Sequence, residues 1–103
     1  MSSPMRIRAA ETGGVADVRV LMAHPMETGM RRDAAGAVIP RHYITEVTAR
    51  VGDRVVMTAH WSPGVSTNPF LQFRVRGVSK GQQLSVTWRD SRGDTRTDQT
   101  AIT

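Results

Sequence analysis

The sequence predicts an all-β protein, an immunoglobulin-like antiparallel β-sandwich of about seven strands, with a small closed barrel as the structural alternative. Three observations support this prediction. Apolar and polar residues alternate with a period of two along most of the chain. Clusters of glycine, proline, serine and aspartate separate the alternating segments. No apolar pattern with helical spacing persists beyond one turn anywhere in the 103 residues.

Each predicted strand is a segment in which every second residue is apolar, as expected where one face of a sheet is buried and the other is in solvent. The last segment shows the weakest alternation. The segments cover residues 5–9, 18–22, 43–49, 55–61, 71–76, 84–89 and 95–102. Turn-forming residues occupy the intervals 13–14, 33–36, 52–53, 62–64, 77–81 and 91–94. Without a Cys…Trp…Cys pattern, the domain is not of the antibody type.

Residues 23–42 form a long connection between the second and third predicted strands. Connections longer than ~12–15 residues are uncommon in compact domains unless they are functional or disordered. This one contains several large apolar residues, which argues against disorder. We expect a short hairpin around residues 33–36, because that would account for the length of the connection.

Length and composition exclude several classes of protein. A chain of 103 residues fits one domain and leaves no room for separate cofactor and substrate domains. The sequence has no cysteine, so it can form no disulfide, thiol nucleophile or cysteine-ligated metal centre. No apolar run approaches the ~18 residues of a membrane span, and the first residues show no cleavable export signal. We therefore expect a soluble domain that is not a free-standing enzyme.

The net charge of +5 comes almost wholly from arginine, since Lys80 is the one lysine among 14 basic residues. The arginines are dispersed along the sequence, and aromatic residues do not interleave with them. A nucleic-acid site would concentrate both on one stripe. An acidic partner protein or an anionic substrate suits this pattern better than nucleic acid does. Binding to nucleic acid remains a third hypothesis, which predicts affinity that falls steeply with salt.

The methionines and histidines of the long connection raise the question of a metal. Thioether and imidazole ligands suit copper, so a small copper-binding sandwich that uses His24, Met26 and Met30 is the alternative function. Packing of the methionines against the sandwich, or an exposed Met/His patch that contacts a protein, would also explain them. His42 and His60 complete a set of three histidines with no local zinc spacing.

Residues 61–73 form the second informative stretch. Asn68 can close a corner through an Asx-turn, and Pro69 is typical of a strand start or a sheet edge. Phe70 and Phe73 would then point to opposite faces of the strand. If Phe73 is in the core, Phe70 is exposed and becomes a candidate anchor for a protein partner; capping of the sandwich end is the other interpretation.

Together these stretches resemble a known family. The block His-Pro-Met-Glu-Thr-Gly-Met-Arg-Arg-Asp at 24–33 closely resembles the signature of the SoxZ family of sulfur-oxidation proteins, and residues 36–44 continue the likeness. The stretch Ser-Thr-Asn-Pro-Phe-Leu-Gln-Phe at 66–73 is similar to a second family motif. The resemblance runs over residues 5–95, with the C-terminal part contributing Trp88 and Asp90 among others.

The resemblance implies one SoxZ-like domain over residues 1–103 with no cofactor, no metal and no catalytic residue of its own. It implies a heterodimer with SoxY, whose C-terminal cysteine arm carries covalent sulfur intermediates in thiosulfate oxidation, and transient contacts with the other Sox enzymes. The location would be periplasmic, by co-export with the partner, and no membrane or nucleic acid is involved. The isolated chain could form a homodimer. The expected partner contacts are His24, Met26, Glu27, Arg31, Arg32, Asn68, Pro69 and Phe70.

Overall fold

A computed structural model describes residues 2–103 and shows seven strands in two antiparallel sheets, which confirms the all-β sandwich prediction. The strands are β1 (Arg6–Thr12), β2 (Val15–Leu21), β3 (Ile44–Val51), β4 (Arg54–His60), β5 (Phe70–Arg76), β6 (Gln83–Asp90) and β7 (Thr95–Ala101). One sheet has the order β1-β2-β5 and the other β4-β3-β6-β7. Residues 2–103 include no helix that is long and apolar enough to cross a membrane.

The core lies between the two sheets and follows directly from the alternation in the sequence. On β2, the side chains of Ala16, Val18 and Val20 are fully buried, and the residues between them point outwards. The central strands β3 and β6 do the same with Val47 and Val86 among others. Because β-branched residues pack well on a pleated, half-buried surface, the valine-rich runs favour strands over helices here.

The edge strand β7 has polar residues at its inward positions, which explains its weak alternation in the sequence. Arg96 and Asp98 are half-buried and form an ion pair with an Nε–Oδ2 distance of 2.8 Å. The backbone N–H of Met5 also donates to the Asp98 carboxylate at 2.9 Å. Inward-pointing charges at a sheet edge discourage pairing with a second molecule.

The long connection between β2 and β3 folds as the hairpin that the sequence predicts. Glu27 pairs with His42 near its base, and Arg32 pairs with Val38 near its tip. At the turn, the Asp33 carboxylate accepts the backbone N–H groups of residues 35 and 37. All residues from 30 to 38 are exposed, so this part of the hairpin projects from the sandwich, and the molecule is 54 Å long but 20 Å across.

Candidate functional site

The two informative stretches of the sequence meet at one end of the sandwich. The backbone N–H of His24, just after β2, donates to the side-chain oxygen of Asn68 at 3.1 Å. The N–H of Asn68, just before β5, donates back to the His24 carbonyl at 2.9 Å. The Thr67 hydroxyl adds a hydrogen bond to the Pro25 carbonyl at 3.0 Å. These bonds fasten the entry to the hairpin onto the loop that leads into β5.

Two residues of this corner adopt a left-handed backbone. Asn68 has φ = 51°, which asparagine tolerates because its short side chain bonds locally. Met26 has φ = 50°, which is unusual for a residue with a long side chain. Its N–H donates to Nδ1 of His24 at 3.1 Å, and its Sδ atom accepts the N–H of Ile44 at 3.3 Å. The buried surroundings therefore hold Met26 in this conformation.

A cluster of two histidines and an aspartate lies beneath the corner; His24 and Asp90 are buried, and the His42 side chain is 19% exposed. Nε2 of His24 is 3.1 Å from Oδ2 of Asp90, and Nε2 of His42 is 2.8 Å from the same oxygen. His24 leaves β2, His42 ends the hairpin, and Asp90 ends β6, so the cluster ties both sheets to the hairpin. The side chains of His24 and Asp90 are 2% and 1% exposed, so these contacts are largely shielded from water.

The Asp90 carboxylate accepts four hydrogen bonds. Besides the two histidines, the backbone N–H groups of Arg92 and Asp94 donate to its Oδ1 atom, each at 3.0 Å. Burial raises the pKa of Asp90, but the bonds from His24, His42 and the two backbone groups outweigh burial, and the net pKa lies below its usual value. Asp90 is therefore ionised, and its carboxylate links both histidines to the turn after β6.

The hydrogen bonds of His24 fix its tautomer. Because Nδ1 accepts the Met26 N–H, the ring proton of the neutral form is on Nε2, which donates to Asp90. Burial lowers the pKa of His24, and the neighbouring His42 and Arg92 lower it further, against the opposing effect of Asp90. The neutral imidazole thus forms both hydrogen bonds, one to Asp90 and one from Met26. Protonation would place a second N–H at Nδ1, where it would face the Met26 N–H and break that bond.

The cluster contains metal-ligating atom types, since one atom from each of His24, His42 and Asp90 lies within 4.8 Å of the others. The bonding pattern does not fit a metal, because Nε2 of His24 carries a proton and offers no lone pair. Nor do the residues expected for copper form a ready site. Met26 uses its sulfur as an acceptor inside the core, whereas Met30 is 88% exposed on the hairpin.

An open cleft of about 580 Å³ lies beside the cluster. Its lining includes His24, His42, Asn68 and Asp90, together with the indole of Trp88. The indole contacts His24 edge-to-face, with ring centroids 5.2 Å apart. Its Nε1 is buried and has no hydrogen-bond partner among residues 2–103. The indole N–H is the exception in this lining, because His24, His42, Asn68 and Asp90 all form hydrogen bonds in the corner.

The surface around the corner carries the remaining predicted residues. Arg31 binds Glu27 through an Nη2–Oε1 contact of 2.6 Å, and this hydrogen bond lowers the pKa of Glu27. Arg32 donates to the Gly36 carbonyl at 2.8 Å across the hairpin turn. Phe70 is 60% exposed and pairs in register with the exposed Leu21 on β2.

The structure thus divides the predicted contact residues into two groups. His24, Met26 and Pro69 are buried and build the corner, so their side chains are not available on this surface for a partner. The other predicted residues reach the surface to different extents: Glu27, Arg31, Arg32, Asn68 and Phe70. Whether they contact a partner stays a prediction.

Sequence reasoning missed the buried cluster. The spacing of the three histidines gives no indication that they converge, and no pattern identifies Asp90 as a site residue. His24 and His42 do converge, whereas His60 lies elsewhere, 75% exposed with Nδ1 at 3.8 Å from Glu46. The available signal was the predicted hairpin, because a turn at 33–36 brings residues on either side of it to the same end of the domain.

The fold and the site define a small antiparallel β-sandwich with a His–Asp–His cluster at one end. The family model described as "Sulphur oxidation protein SoxZ" matches residues 5–101, nearly the whole chain. The chain therefore belongs to the SoxZ family of sulfur-oxidation proteins, as the resemblance in its sequence indicates. No curated protein sequence gives a significant match.

Among solved structures, superoxide reductases are similar in fold. A superoxide reductase in the oxidised state has a TM-score of 0.66 at 13% identity, covering 99% of this chain and 89% of that one. The neelaredoxin of Archaeoglobus fulgidus in the reduced form has a TM-score of 0.61 at 18% identity, covering 97% of this chain and 87% of that one. The neelaredoxin of Ignicoccus hospitalis has a TM-score of 0.65 at 16% identity, covering 98% of this chain and 80% of that one. At these identities the likeness establishes the sandwich fold alone.

Proposed function

We propose that this protein is the non-catalytic subunit of a SoxYZ sulfur-carrier complex, in which SoxY bears the sulfur intermediates on its cysteine. The family match over residues 5–101 carries the proposal, because it accounts for nearly the whole chain. Two features of the chain support it. A subunit without cysteine cannot form mixed disulfides with a reactive partner thiol. The buried His–Asp–His cluster is satisfied internally, as befits a structural element.

The exposed side of the corner is the surface that we propose for SoxY. Met30 and Val38 on the projecting hairpin are 88% and 50% exposed, and Leu21 and Phe70 form a second exposed apolar pair. Stable interfaces bury apolar and aromatic anchors at their centre, with polar side chains around them. Arg31 and its neighbours on the hairpin provide such polar surroundings.

Co-expression with a tagged SoxY from the same source tests the proposal. We expect a 1:1 complex that survives affinity purification and gel filtration. In that complex, Phe70→Asp should weaken binding by about 2 kcal/mol or more, because an aromatic anchor would be replaced by a charge. Val55→Asp is the matched control, since Val55 is a 50% exposed apolar residue on β4 of the other sheet.

Three results would count against this reading. If the tagged SoxY fails to retain the chain, the carrier function is wrong although the fold stands. If Phe70→Asp and Val55→Asp weaken the complex equally, the corner is not the interface. If Phe70→Asp unfolds the isolated chain, Phe70 supports the fold and its exposure has been misread.

We propose a periplasmic location, reached by co-export with SoxY through the export signal of the partner. The experiment is fractionation of cells that express both chains, with and without that signal. The chain should move to the periplasm only when the partner carries its signal. Periplasmic accumulation of the chain when it is expressed alone would contradict co-export.

A further inference from the structure

Arginines that are scattered along the sequence gather on the outer face of the sheet β1-β2-β5. Outward positions alternate along each strand, and the strand register aligns them across the sheet. The resulting arginine face contains Arg6, Arg8, Arg19, Arg74 and Arg76. It spans about 20 Å along the strands and about 10 Å across them.

Among residues 2–103, one acidic side chain shares this arginine face. Asp17 lies at its centre, 3.3 Å from Nε of Arg19 and 3.0 Å from Nε2 of Gln72. The remaining four arginines form no salt bridge within residues 2–103. Most of the net charge of +5 is therefore displayed on one side of the molecule.

Stability of the sheet does not favour the whole arrangement, although Arg74 lies directly opposite Asp17. Arg8 on β1 lies directly opposite Arg19 on β2 in the register, and like charges in that position are destabilising. The outer face of the other sheet differs: its Arg50 and Arg89 share a shallow depression with Glu46 and several threonines. The concentration of unpaired guanidinium groups is thus a feature of one face, and binding of an anionic partner would neutralise it.

We propose that the arginine face docks an acidic surface of a partner other than SoxY; the pair Leu21 and Phe70 proposed for SoxY borders this face at one end, in register with Arg6. Guanidinium groups bind carboxylates with two parallel hydrogen bonds, and a field of one sign accelerates encounter with an oppositely charged protein. A nucleic acid fits less well, because Phe70, the exposed aromatic side chain on this side of the sheet, lies at one end of the face and not between the arginines, and Asp17 would repel phosphates at its centre. If the chain is part of a SoxYZ carrier, as proposed above, this type of contact suits a partner that binds quickly and dissociates again.

Titration of the ¹⁵N-labelled full chain tests the proposal by NMR. The probe is a short peptide of alternating glutamate and threonine, with its glutamine counterpart as the uncharged control. We expect amide shifts on β1, β2 and β5 for the glutamate peptide alone, and weaker binding as salt rises. Arg8→Gln with Arg74→Gln should weaken binding about tenfold, the effect of losing two modest charge pairs. Arg50→Gln with Arg89→Gln removes the same charge from the other sheet and should leave affinity within about twofold.

Each alternative gives a result that would overturn the proposal. Equal losses in the two double variants would reveal a general attraction to a basic protein. Tighter binding of a polythymidine oligonucleotide than of the peptide would assign the face to nucleic acid. Saturable shifts on the same strands with sodium thiosulfate at matched ionic strength would assign it to small anions.

Discussion

Asp90→Asn is the substitution that tests the buried cluster most directly. An asparagine could keep its oxygen towards the N–H groups of Arg92 and Asp94. Its NH₂ group would then face Nε2 of both histidines. His24 cannot adapt by changing tautomer, because its Nδ1 accepts the Met26 N–H. Rotating the amide by half a turn moves the same conflict onto the two backbone N–H groups.

The cost follows from the number and kind of bonds affected. Hydrogen bonds to a charged group contribute about 1.5–3 kcal/mol each, and a buried donor left unsatisfied costs about 1–3 kcal/mol. Two such bonds lose their acceptor in either orientation of the asparagine. Retained packing and the identical shape of the side chain offset part of the loss. We therefore expect Asp90→Asn to lower the free energy of unfolding by about 3 kcal/mol.

Urea unfolding at pH 7.5, followed by tryptophan fluorescence, measures this difference. Trp88 reports on the site because its indole contacts His24 at 5.2 Å. With a slope near 1.5 kcal/mol per molar urea, the midpoint should fall by about 2 M. Asp94→Asn is the matched control: it removes a charge from the same turn, where Asp94 is exposed, and should change stability by less than about 0.5 kcal/mol. A loss below about 1 kcal/mol for Asp90→Asn would refute the hydrogen-bond argument.

Three further predictions concern the same corner. Since the folded-state pKa of His24 is lowered from 6.5, the unfolded chain takes up that proton first, and stability should decline as pH falls below about 6.5. Thermal unfolding between pH 7.5 and 5 checks this, and His24→Gln should flatten that part of the profile. Met26→Ala should cost about 2–4 kcal/mol because the side chain is buried, whereas Met30→Ala should change stability little; equal effects would contradict the assignment of Met26 to the core. Addition of Zn²⁺ or Cu⁺ to the purified chain should not raise its melting temperature, and a stoichiometric increase would show that His24 can surrender its Nε2 proton to a metal.

Much of the fold could be predicted from the sequence because its signals are local. Alternation with a period of two identifies the strands, and the residues between them identify the turns. Prediction was least secure at β7, where the inward positions of Arg96 and Asp98 are polar. Asp98 accepts the backbone N–H of Met5, 93 positions away, and such a contact leaves no trace in local periodicity.

The candidate site was harder to predict because its members come from distant parts of the chain. His24 and Asp90 are 66 positions apart, and their contact depends on how the two sheets stack. The hairpin alone was sufficient to bring His42 near the first stretch, since it pairs Glu27 with His42. A carboxylate at the end of a strand has many ordinary explanations, so only the fold could connect Asp90 with both histidines.

The placement of the motif His24 to Asp33 clarifies what family resemblance reports in this protein. Its first members, His24 and Met26, point inwards and fix the corner, whereas Arg31 and Arg32 reach solvent. A match to the motif therefore indicates that the chain forms this corner. It says less about which surface binds a partner. The exposed Phe70 depends on the same architecture, because Asn68 binds the backbone of His24 two residues before β5 begins. Substitutions of the buried residues should thus disturb the fold and any partner contact together, and only substitutions of the exposed residues can separate the two.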